Sequence, residues 1–182
     1  MPAQMPFGMI SKACKQTGST LILIGGQAVG VRGYQRVTLD VDFMITEADY
    51  EKLKPAMCAA GYQEVTRTAV AAKLRAESEN LVDVDFMFVD TDTFSGIQSE
   101  SEAETFQEAS FLVPKPEHLI ALKLHAIKQQ PIVRELKDLN DIVELVKANH
   151  LDTSAEGFKS LCLKFGTQEL YQKILHYTKQ NG

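Results

Sequence analysis

The spacing of apolar positions changes several times along the chain, and each change marks an element. Residues 6–17 repeat their apolar positions at helical spacing and stop at Gly18, which predicts a short amphipathic helix. TLILI, residues 20–24, is a continuous apolar run of strand length, with β-branched Thr20, Ile22 and Ile24, and predicts a buried strand. Gly25-Gly26 ends it, and QAVGVRGY reads as a helix weakened by Gly30. TLDVDFMI, residues 38–45, alternates as a strand does, and Glu47 to Ala60 predicts a helix closed by Gly61. A Thr/Val-rich stretch at 62–72 predicts one strand, LVDVDFMFV at 81–89 another, and ASFLV at 109–113 a last one before Pro114. Residues 91–104 are polar and acidic, and ESEAETFQE at 100–108 reads as a solvated connection. The rest is helical: 116–129, 134–148 and two shorter helices within 154–180.

This order predicts an α/β protein with a mixed sheet flanked by helices and a helical C-terminal portion. Its 182 residues fit one domain, with a sheet core at about 18–115 and a helical part at about 116–182 packed on it. No stretch interrupts the pattern as a linker. The chain is 45% hydrophobic and 24% charged, enough apolar material for a core without staples. Its net charge of −5 disfavours a general nucleic-acid coat, which depends on neutralising phosphates. Cys14, Cys58 and Cys162 have neither metal nor disulfide spacing, which predicts buried reduced thiols in a cytoplasmic protein. No run is long enough to span a bilayer, and MPAQMPFGMISKACK lacks the regions of a signal peptide, so no membrane partner is expected.

Candidate chemistry begins with Asp40 and Asp42. Aspartate is depleted in strands, and two at i and i+2 share one face, where they repel unless a cation lies between them. Such a pair suits hard divalent ions, set about 4 Å apart in in-line phosphoryl chemistry. A strand running into Gly25-Gly26 and then a helix exposes backbone N–H groups that suit an anion. Only one helix-sized segment separates that turn from the aspartates. A second pair, Asp83 and Asp85, alternates with core-type Val82, Val84, Phe86 and Phe88, so either can supply a third carboxylate. In PEHLIALKLHAI, a helical projection at about 100° per residue puts Lys123 among Leu119, Ile120, Ala126 and Ile127, with His125 on the polar side. In RELKDLNDIVELV, Asp138 falls inside the apolar arc, while Asp141 and Lys137 fall on the solvated side. Lys123 and Asp138 are thus two inward charges: a structural ion pair, or a phosphate-facing lysine oriented by an aspartate.

Taken together these segments resemble the nucleotidyltransferase superfamily, and within it the small AbiEii-like branch. GGQAVGVRGYQRVTLDVDFMI resembles that branch's glycine turn, helix, R-x-T and D-x-D segment. LVDVDFMF resembles its third-carboxylate strand, and KPEHLIALKLHAI with RELKDLNDIVELV its closing helices. The resemblance spans about residues 20–148. It implies a nucleotidyltransferase-like fold in which Gly25 and Gly26 cradle a nucleoside triphosphate. It further implies that Asp40 and Asp42 bind Mg2+, that Asp85 is the third carboxylate and activates the acceptor hydroxyl, and that Arg36 and Lys123 contact phosphates. Many relatives have Gly-Ser in the turn; here Gln27 follows two glycines. The implied activity is nucleotidyl transfer to an RNA (transfer RNA) or protein acceptor, as in toxins paired with an antitoxin protein. Two rivals are a small-molecule transferase of the aminoglycoside type and a catalytically idle binding module of the same fold.

Overall fold

The strand that carries Asp40 and Asp42 lies at the centre of a seven-stranded mixed sheet. The computed structural model describes residues 6–79, 81–106 and 109–179, and the statements below concern these. Along the chain the elements run α1 (Phe7–Thr17), β1 (Ile22–Ile24), α2 (Gly25–Val31), β2 (Asp40–Thr46) and α3 (Glu47–Ala59). They continue with β3 (Tyr62–Arg67), β4 (Ala71–Ala76), β5 (Asp83–Val89), α4 (Thr91–Ser99), β6 (Glu102–Phe106) and β7 (Ala109–Val113). The strand order is β3-β4-β5-β2-β1-β7-β6. The β2–β5 and β1–β7 pairs are parallel and the other four antiparallel.

The chain forms two compact units. One comprises the residues up to Ala28 with Arg36–Pro114; the other comprises Val29–Gln35 with the residues from Lys115 onward. In the sheet unit, α1 and α3 bury Ile10, Ala13, Tyr50, Leu53 and Met57. An aromatic cluster fills the sheet face opposite the aspartates: Tyr50 meets Phe86 edge-on at 5.2 Å, and Phe43 lies 5.1 Å from Phe111. Thr46 caps α3 by accepting a hydrogen bond from Asp49 N, which fixes where β2 ends and the helix begins. In the helical unit, α5 (Pro116–Gln129) packs on α6 (Pro131–Ala148) and α7 (Glu156–Phe165), and α8 (Gln168–Lys179) on α6 and α7. Asn149 Nδ2 donates to Arg32 O at 2.8 Å, tying the short 29–35 segment to α6.

Four local expectations change. The stretch 62–72 is not one strand but the hairpin β3–β4, turned at 68–70 by the hydroxyl and amide of Thr68 donating to Ala71 O. Residues 91–106 hold α4, capped by Asp90, and the strand β6 rather than a bare connection; an outermost strand tolerates the exposed Glu102. Gln107 and Glu108 lie outside the described residues. The helix after the glycines begins at Gly25 itself and ends at Val31. Cys162 is buried and Cys14 half-buried, but Cys58 is exposed.

Candidate active site

Alternation along β2 and β5 decides which side chains meet. Val41, Phe43 and Ile45 on β2, and Val84, Phe86 and Phe88 on β5, are buried on one face. The aspartates therefore point to the other. Parallel pairing puts Asp40 opposite Asp83 and Asp42 opposite Asp85. Asp40, Asp42 and Asp85, each half-buried, bring carboxylate oxygens within 4.8 Å of one another. Asp83 is engaged elsewhere: its Oδ1 accepts a hydrogen bond from Ala76 N at 3.1 Å, at the end of β4. Of the two, it is Asp85 whose carboxylate lies with those of Asp40 and Asp42.

The glycine turn and the aspartates touch. Gly25 has φ 65°, a left-handed conformation that suits glycine, and a Cβ there would collide with the Asp42 carboxylate. The missing side chain lets the carboxylate rest against the turn. A Cβ on Gly26 would collide with Thr38 Cγ2 and approach both Nη atoms of Arg36 at 3.1 Å. Residues 36–39 alternate before β2 begins, with Val37 and Leu39 86% and 82% exposed. Arg36, Thr38, Asp40 and Asp42 thus form one inward row leading from the turn to the carboxylates.

Lys73, on β4 directly opposite Asp85, was not anticipated. Its Nζ lies 3.3 Å from Asp85 Oδ1 and 3.4 Å from Oδ2. Oδ1 is buried and accepts no well-aligned hydrogen bond, although that ammonium is near. Burial raises the Asp85 pKa above the ordinary carboxylate value; Lys73 opposes the shift, and Asp40 and Asp83 add to it. Three converging carboxylates, one with a buried oxygen lacking a hydrogen bond, form an all-oxygen set that fits a hard divalent cation such as Mg2+.

Lys123 sits in the helical unit, 8% exposed, and donates to two buried carboxylates: Asp141 Oδ2 at 2.6 Å and Asp138 Oδ1 at 3.1 Å. Its inward placement and its pairing with Asp138 agree with the helical projection. Asp141 does not: it is fully buried rather than solvated, because Asp138 and Asp141 at i and i+3 share a helix face and the ammonium draws both inward. His125 is exposed, as its polar side predicts.

Residues 7–181 match the family described as "Uncharacterised nucleotidyltransferase", and the chain belongs to that family. No protein of curated function matches it in sequence. Among solved structures, the antibiotic-resistance factor ANT(2'')-Ia in solution is similar with TM-score 0.66 at 13% identity, over 96% of this chain and 95% of that one. An antigenic nucleotidyltransferase-like protein from Paracoccidioides brasiliensis gives 0.57 at 14%, over 95% and 90%. The lincosamide antibiotic adenylyltransferase LnuA, lincomycin-bound, gives 0.54 at 17%, over 75% and 92%. At these identities the likeness establishes the nucleotidyltransferase-like fold. No helix among the described residues is long and apolar enough to cross a membrane.

Proposed function

We propose that this chain transfers a nucleotidyl group from a nucleoside triphosphate to a hydroxyl acceptor, with Mg2+ as cofactor. The observation that carries the reading is the convergence of Asp40, Asp42 and Asp85 beside a glycine turn that packs on Asp42. Asp40, Asp42 and Asp85 would hold the metal, which when bound supplies positive charge to the attacking and leaving oxygens. Gly25 and Gly26 let Asp42, Thr38 and Arg36 close on the turn, and Arg36, on the same row as the carboxylates, is the guanidinium assigned to a phosphate there. The acceptor oxygen attacks the α-phosphorus, a new P–O bond forms, the α–β bridging bond breaks and pyrophosphate leaves. Asp85 takes the acceptor's proton. Lys123, already donating to two buried carboxylates, is assigned first to holding its helices together rather than to the phosphates.

An RNA or protein acceptor, the AbiEii-like branch and an antitoxin partner rest on the resemblance of residues 20–148. A second reading, a small polycationic acceptor, is favoured by the net charge of −5, which attracts such a molecule and repels a phosphate backbone. ANT(2'')-Ia, of similar fold, has been solved with adenylyl-2''-tobramycin. Labelled nucleoside triphosphates with Mg2+, offered in turn to transfer RNA, protein and aminoglycosides, decide the acceptor. Label retained on none of them, with every triphosphate tried, would reject transfer to these acceptors.

A further inference from the structure

The row that leads into the carboxylates contains a hydroxyl with a fixed direction. Thr38 is β-branched, so few side-chain rotamers are open to it, and two contacts select one. Its Cγ2 methyl occupies the space a Cβ on Gly26 would need. Its Oγ1 accepts a hydrogen bond from Gln27 Nε2 at 2.6 Å. A hydroxyl has one proton to give and two lone pairs. With the amide donating to the oxygen, the Thr38 proton must point elsewhere, and it has no acceptor among the described residues. Thr38 is half-buried and lies two residues before Asp40 and four before Asp42, on their face. A hydroxyl held in one direction beside a carboxylate cluster suits an acceptor whose charge is already compensated. A metal-bound phosphate oxygen is such an acceptor.

We propose that Thr38 is a phosphate-contacting residue, donating its hydroxyl proton to the triphosphate, and that Gln27 is its positioning residue. This rests on the nucleotidyltransferase reading above. It adds a donor that comes from neither the glycine turn nor a basic side chain. It also gives Gly26 a local reason: any side chain there displaces the threonine methyl and turns the hydroxyl away.

The test is calorimetric titration of the magnesium complexes of ATP, CTP, GTP and UTP into the wild-type protein and four variants, with nucleotide-free melts as a check on folding. Thr38→Val keeps the shape and removes the proton, and weakens binding of whichever triphosphate the wild type prefers about tenfold. Thr38→Ser keeps the hydroxyl and stays near wild-type affinity. Gln27→Ala weakens binding in the wild-type background but adds no further loss in the Thr38→Val background, because it acts through that hydroxyl. Thr38→Val binding as tightly as wild type, or a Gln27→Ala loss of full size in the Thr38→Val background, overturns the proposal. Should Thr38→Val not fold, Thr38→Ser against Thr38→Ala makes the same comparison. A wild-type protein that binds none of the four triphosphates overturns the transferase reading itself, a failure seen before any variant is made.

Discussion

Replacing Lys123 with methionine keeps the length of the side chain and removes its charge. In the native protein the ammonium donates to Asp141 at 2.6 Å and to Asp138 at 3.1 Å, with the three residues 8%, 0% and 2% exposed. Each hydrogen bond to a buried charge contributes about 1.5–3 kcal/mol. Breaking a buried ion pair from one side costs about 3–5 kcal/mol, because the partner is left uncompensated. The loss is therefore about 3–5 kcal/mol, a large share of the roughly 5–15 kcal/mol that holds a domain folded. The two aspartates differ. Asp141→Asn removes the shorter bond from a fully buried carboxylate and costs several kcal/mol. Asp138→Asn removes the longer bond, from a carboxylate whose Oδ2 accepts no hydrogen bond among the described residues and lies 3.9 Å from Arg134, and costs less than Asp141→Asn. Urea melts of the three variants measure these costs, read beside triphosphate titrations. A Lys123→Met protein as stable as wild type but unable to bind nucleotide would refute the reasoning and move Lys123 to the phosphates.

Asp85→Asn raises the melting temperature of the metal-free protein at pH 7. Burial raises the Asp85 pKa, so its favourable share of stability is complete below the unfolded carboxylate value, about 4, and is lost as pH rises through the folded one. The asparagine's advantage should accordingly shrink in melts at pH 4 and below; an advantage that grows there contradicts the assignment. Gly25→Ala costs about 1–2 kcal/mol for its left-handed backbone and also pushes the Asp42 carboxylate from its place, so Mg2+ affinity measured by calorimetry falls with stability. Arg67 lies over the rings of Tyr50 and Phe88, 4.6 and 4.4 Å from their centroids, and donates to Glu47 and Glu51. Arg67→Lys, which cannot stack a planar guanidinium there, lowers stability by about 1 kcal/mol in denaturant melts and leaves nucleotide binding unchanged.

The central strands and their aspartates were legible because period-two alternation separates a buried apolar face from a charged one within a few residues. The proximity of Gly25-Gly26 to Asp42 followed from their short separation, but not the reason for glycine there. That reason is a positive φ with a carboxylate where a side chain would be. Asp83 and Asp85 could not be told apart, since both share a face; the distinction comes from Asp83 serving the backbone of Ala76. Lys73 stayed hidden because the turn at 68–70 has no Gly, Pro, Asn or Asp, and AAKLRA has no β-branched residue to mark it as a strand. Asp141 was misplaced because a helical projection knows the apolar arc but not the lysine on another helix that makes burying a second carboxylate tolerable. Thr38 was read as the start of a strand and as part of an R-x-T segment; its methyl and hydroxyl contacts are tertiary.

The measurement that bears most directly on the three-carboxylate site is titration of a nucleoside triphosphate into the wild-type protein and into Asp42→Asn, each with and without Mg2+. The four common triphosphates are tried in turn. The wild-type protein should bind saturably and only with Mg2+, and an Asp42→Asn protein that remains folded by its melting curve should lose that binding. Asp42 is the informative position because it belongs to the carboxylate cluster and also lies against Gly25. Triphosphate binding that is indifferent to Mg2+ and to Asp42→Asn, or no binding of any triphosphate by the wild type, would contradict the three-carboxylate site.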